Sequence, residues 1–135
     1  MEDTRPREIA VDIFNAALRA VDPYQLVQTH CEFISETFLR EKCNKLYLVS
    51  FGKAAFAMTR ALVQSPVREL ITCGIVITKY DHAPGALEGN IEIFEAGHPV
   101  PDEKGLAATK QVIDLLKESD QQTLVLCLIS GGGSA

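Results

Sequence analysis

Four short apolar runs, spaced by helical patterns or loops, constrain the fold of this chain more than any other feature. They are residues 46–51 (LYLVSF), 74–78 (GIVIT), 91–96 (IEIFEA) and 123–129 (TLVLCLI). The first and last carry no charge, so both faces of those strands are apolar. Such strands need cover on both sides, which a parallel sheet flanked by crossover helices supplies. The alternation therefore predicts an α/β fold: a doubly wound, mostly parallel sheet in three layers. The run at 91–96 alternates with Glu92 and Glu95 and is expected to be the most exposed strand.

Residues 5–41 predict a helical hairpin preceding the sheet. Asp3 or Thr4 can cap its first helix, and Pro6 and Glu8 suit a first turn. Ile9, Ile13, Ala16 and Ala20 form one stripe, widened by Phe14, Leu18 and Val21. Asp22-Pro23 ends that helix and starts the next, where Val27, Cys31, Ile34 and Phe38 recur at helical spacing. A third helix is predicted through Ala54, Ala55, Ala57, Met58, Ala61 and Leu62. A fourth is capped by Asp102, with Leu106, Thr109, Ile113 and Leu116 on one face.

Composition narrows the function. The 135 residues are 47% apolar and 23% charged, ordinary for a globular chain. No apolar run approaches the roughly 20 residues of a membrane span, and the N-terminus lacks a secretory pattern. The net charge is −5, and the whole acidic excess falls after residue 67. With no basic stripe and no Trp, nucleic acid is a poor partner. Cys31, Cys43, Cys73 and Cys127 have no CxxC spacing, so they predict buried, reduced thiols and no zinc site. That pattern suits a cytoplasmic protein.

Candidate chemistry sits where strands end. Gly52-Lys53 follows the first strand, and ligands of open parallel sheets bind outside that edge. A cation at a helix N-terminus is mildly unfavourable, by about 0.3–1 kcal/mol, which favours a functional reason for Lys53. Gly97-His98-Pro99-Val100-Pro101-Asp102 follows the third strand and places His98 beside a helix start. Ser130-Gly131-Gly132-Gly133-Ser134 follows the fourth, and successive amides of such a turn can cradle a phosphate. It is neither a Walker A loop nor a GxGxxG fingerprint. His82 and His30 are weaker candidates; His30 is expected to be a packing residue. If the strands are parallel, the loops at 52–53, 97–102 and 130–135 share one edge as an anionic-ligand cleft.

The segments SFGKAAFAM, GIVITKYDH, FEAGHPVPDE and LISGGGSA, in this order, closely resemble the N-terminal domain of the glycerate 2-kinases of the MOFRL type. The resemblance covers nearly the whole chain. It implies a Rossmann-like domain, a second domain elsewhere, and ATP-dependent phosphorylation of D-glycerate to 2-phosphoglycerate with Mg²⁺. It implies that Lys53 is catalytic and that Gly52, His98, Ser130, Gly131, Gly132, Gly133 and Ser134 bind substrate or phosphate. No residue is assigned as a metal ligand. Asp102 matches the same motif as His98, and Phe51 departs mildly from the family pattern. Family members are about three times longer, so the chain is expected to be an N-terminal piece, inactive alone. The expected partners are glycerate and ATP, with homo-oligomer formation left open. Two alternatives stand beside the kinase: a hydroxypyruvate reductase, disfavoured by the lack of GxGxxG after any strand, and a non-catalytic anion-binding domain.

Overall fold

The computed structural model describes residues 5–131. Three helices come first: α1 (Arg5–Ala20), α2 (Pro23–Gln28) and α3 (Cys31–Arg40). Then follow β1 (Lys45–Phe51), α4 (Ala55–Val63), a 3₁₀ turn (Pro66–Leu70), β2 (Ile71–Lys79), β3 (Ile91–Ala96), α5 (Glu103–Lys117) and β4 (Thr123–Ile129). All pairings are parallel, in the order β3-β2-β1-β4. This is the expected α/β sheet.

The order follows from the apolar patterns. β1 is apolar on both faces and takes a central place, with five of its residues buried. Alternate residues point to opposite faces. On one face Leu46 and Leu48 pack with Val27, Cys31 and Ile34 from α2–α3 and with Met58, Ala61 and Leu62 from α4. On the other, α5 lies over β3 and β2, where Gly105 approaches Ala96 closely enough that an added Cβ would lie 3.3 Å from it. Helices thus flank both faces, giving three layers.

The predicted hairpin is three helices, because the second arm breaks at Thr29-His30. The Thr29 hydroxyl donates to Leu26 O at 2.7 Å, and His30 Nδ1 lies 2.8 Å from the same carbonyl. Side-chain bonds of this kind compete with the helical ladder. His30 is accordingly exposed at the N-cap of α3 rather than packed. Asp22 caps α2 through Gln25 N at 2.9 Å, as its position suggests. The expected caps Asp3 and Thr4 lie outside the described residues.

α1 is amphipathic but buries nothing; Phe14 stays 62% exposed. An apolar stripe needs a neighbouring surface, and here α2, not α1, occupies the place against α4. Cys31 is buried, but Cys127 is exposed and Cys43 and Cys73 are half-buried, all as free thiols. Cys127 lies on the edge strand β4, where neither a further strand nor a helix covers it among the described residues.

Candidate active site

The strand order reverses next to β1. From β1 the chain moves to β2 and β3 on one side, then crosses to β4 on the other. Open α/β sheets bind ligands at the carboxyl ends of strands at such a switch point. A groove of about 490 Å³ lies on the β2–β3 side of that point, bordered by α5 and the ends of β1, β2 and β3. Its walls include Lys53, Lys79, His98 and Asp102 at the mouth, with Val49 and Ile77 deeper on the sheet.

Hydrogen bonds from both neighbouring strands hold the β1–α4 turn. Gly52 has φ +105°, a left-handed conformation that favours glycine. Its N–H donates to Ile77 O at 3.1 Å, and its carbonyl accepts from the buried Thr78 hydroxyl at 3.1 Å. From the other side, the Ser130 hydroxyl accepts the Ala54 N–H at 3.2 Å. A Cβ on Gly52 would run into that hydroxyl and would lie 3.1 Å from the Ser130 carbonyl. Ser130 N–H in turn donates to Phe51 O at 3.1 Å. Ser130 therefore braces the turn that presents Lys53.

Lys53 is exposed at the start of α4, whose N-cap Ala54 has no side chain to cap the helix. The Phe56 and Ala57 amides have no acceptor among the described residues, so the positive end of the helix is open. His98 is half-buried on the groove wall, and its peptide bond to Pro99 is cis. Asp102 caps α5 through Gly105 N at 2.9 Å and accepts the Tyr80 hydroxyl at 2.7 Å. The Tyr80 hydrogen bond, then the Gly105 amide, holds the Asp102 carboxyl below its usual range. The same bond pushes the Tyr80 phenol up.

The structure thus brings Gly52, Lys53 and His98 to one groove. Gly131 is exposed with open space where a Cβ would stand, and neither it nor Ser130 borders the groove. Gly132, Gly133 and Ser134 lie outside the described residues. His82 lies apart from the groove, its Nδ1 3.1 Å from Tyr80 O and its amide donating to Glu95. Sequence reasoning missed Lys79 and Tyr80. Both stand in the TKYDH segment at the end of a predicted strand, the position that singled out Lys53.

Among the described residues no group of three His, Cys, Asp or Glu could hold a metal ion. No described helix is long and apolar enough to cross a membrane.

A family model described as "Domain of unknown function (DUF4147)" matches residues 9–135. A D-glycerate 2-kinase from Thermotoga maritima is 36% identical over 129 residues, covering 96% of this chain and 29% of the relative. A glycerate 2-kinase from Pyrococcus horikoshii is 33% identical over 136 positions, with the same two coverages. The crystal structure of a glycerate kinase from Thermotoga maritima matches with a TM-score of 0.77 and 34% identity, over 95% of this chain and 29% of that one. The chain spans less than a third of the length of these relatives. Matched along nearly all of its residues, the chain belongs to the DUF4147 family, the N-terminal domain of the glycerate 2-kinases.

Proposed function

We propose that this chain supplies one wall of a kinase active site that transfers the γ-phosphoryl group of ATP to the 2-hydroxyl of D-glycerate, giving 2-phosphoglycerate and ADP. The observation that carries the reading is the convergence of the Gly52-Lys53 and Gly97–Asp102 loops on one groove, in a chain 36% identical to a D-glycerate 2-kinase. In this reading residues 1–135 are the N-terminal part of a Rossmann-like domain in a longer cytoplasmic protein of the MOFRL type.

Phosphoryl transfer needs positioning and charge stabilisation more than covalent chemistry from the protein. In this reading Lys53 neutralises charge on the transferring group, and the first turn of α4, which no side chain caps, offers amides to its oxygens. His98 contributes a ring nitrogen from the third strand end. The amides from Gly131 to Ser134 hold further phosphate or carboxylate oxygens. The described residues do not form a cage for Mg²⁺: Asp102 is the carboxylate on the groove wall, and its oxygens are engaged by Tyr80 and Gly105.

The test is an ADP-release assay on the full-length product of the coding frame. ADP should form only when ATP and D-glycerate are both present. Oxidation of a reduced nicotinamide with hydroxypyruvate, and no ADP with glycerate, would replace the kinase with a reductase.

A further inference from the structure

We propose that Lys79 is a second anion-binding residue of the groove, acting beside Lys53 on a ligand with two anionic groups; this rests on the kinase reading of the same site. β1 and β2 end in step: Phe51 pairs with Ile77, and Gly52 N–H donates to Ile77 O. Lys79 ends β2 two residues beyond Ile77, and Lys53 follows Gly52 in the turn after β1. Both border the groove.

Like charges lining one groove repel unless something neutralises them. Six of the other cations show how that is done, while Arg7, Arg19, Lys42 and Lys110 are exposed to solvent. Arg40, Lys45, Arg68 and Lys117 each meet a carboxylate, and Arg60 and Lys104 lie over tyrosine rings. Lys53 and Lys79 have neither kind of partner among the described residues. Yet the chain holds 18 Asp and Glu against 13 Lys and Arg. Asp102, on the same groove wall, is bonded to Tyr80 and Gly105 instead. Two cations on one groove, without carboxylates among the described residues, fit a small ligand that brings its own negative charge. A phosphate, a carboxylate, or both on one molecule has that chemistry. Lys79 is also half-buried on the groove wall, so its ammonium reaches the ligand with less freedom to lose than an exposed lysine has.

Calorimetric titration of the full-length product with 2-phosphoglycerate, inorganic phosphate and D-glycerate tests this. Lys79→Met should weaken 2-phosphoglycerate binding about ten- to hundredfold, the size of one charge-assisted hydrogen bond, with an unchanged melt. Lys79→Arg should restore most of it. Parallel weakening of phosphate alone, or of glycerate alone, assigns Lys79 to the phosphate or the carboxylate. Wild-type affinity in Lys79→Met for all three probes, with a loss in Lys53→Met, overturns the role of Lys79 and leaves the kinase reading intact. A wild-type protein that binds none of the probes overturns both.

Discussion

On one face of the sheet, Leu46 and Leu48 of β1 are fully buried beneath α2, α3 and α4. On the other, Val49 of the same strand and Ile77 beside it floor an open groove under α5. One strand serves both faces because its side chains alternate. Leu46 and Leu48 of β1 pack the closed face, and Val49 and Phe51 border the groove. Substitutions on the two faces should therefore have different consequences, and the faces can be separated by experiment.

The largest effect is expected on the closed face. Leu48→Ala should lower stability by about 2–5 kcal/mol, because a fully buried leucine leaves a cavity that its neighbours fill only in part. Denaturant unfolding measures it. A loss below about 1 kcal/mol would mean that this face is no better packed than the groove. On the open face the order of effects reverses. Lys53→Met in the full-length product should cut kcat about 10²–10³-fold, roughly 2.7–4 kcal/mol of transition-state stabilisation, with little change in the melt. Near-normal kcat would reduce Lys53 to a surface residue.

Gly52→Ala sits between the faces, and its effect should be intermediate. The left-handed φ and the nearby Ser130 carbonyl together should cost about 1–3 kcal/mol. Adding Ser130→Gly removes the obstructing hydroxyl and should restore part of that loss, leaving the backbone strain. No recovery in the double variant would mean that losing the bond from Ala54 N–H to the Ser130 hydroxyl costs the turn as much as relieving the clash returns.

The smallest effect is the acid titration of Asp102. Tyr80 and Gly105 bond the ionised carboxylate and hold its pKa down, so its stabilising contribution is complete above the usual carboxylate range. That contribution is lost as pH falls through the lowered value. The Tm difference between wild type and Asp102→Ala should be largest near about pH 7 and should shrink toward about pH 2. A constant difference would assign the effect to the helix cap without the charge.

The closed face was legible because it rests on periodicity. LYLVSF reads as a strand covered on both sides, and its place next to two partners follows. Asp102 was legible as a cap from local chemistry alone, since a carboxylate before a helix accepts a first-turn amide. What escaped depends on contacts distant in sequence. The Tyr80–Asp102 bond spans 22 residues, and no local pattern announces it. Lys79 stands at a strand end as Lys53 does, but without a glycine before it, it carries no comparable signal. The break at Thr29-His30 was hidden because Val27, Cys31 and Ile34 keep helical spacing across it while two side chains take the Leu26 carbonyl. Cys127 looked buried because its strand is apolar, whereas exposure depends on what lies beside the strand.

That last point bears on how the described chain behaves in solution. β4 is a seven-residue strand with no charged side chain, and its outer edge is unpaired among the described residues. Ile129 on it is 63% exposed. Uncharged β-branched edges of this kind template pairing with another chain, and natural proteins blunt them with lysine, proline or a bulge. TLVLCLI has none of these. A lysine in place of outward-facing Ile129 should therefore raise the concentration at which the 135-residue chain stays dispersed, and an alanine in place of the exposed Cys127 should remove its route to intermolecular disulfides.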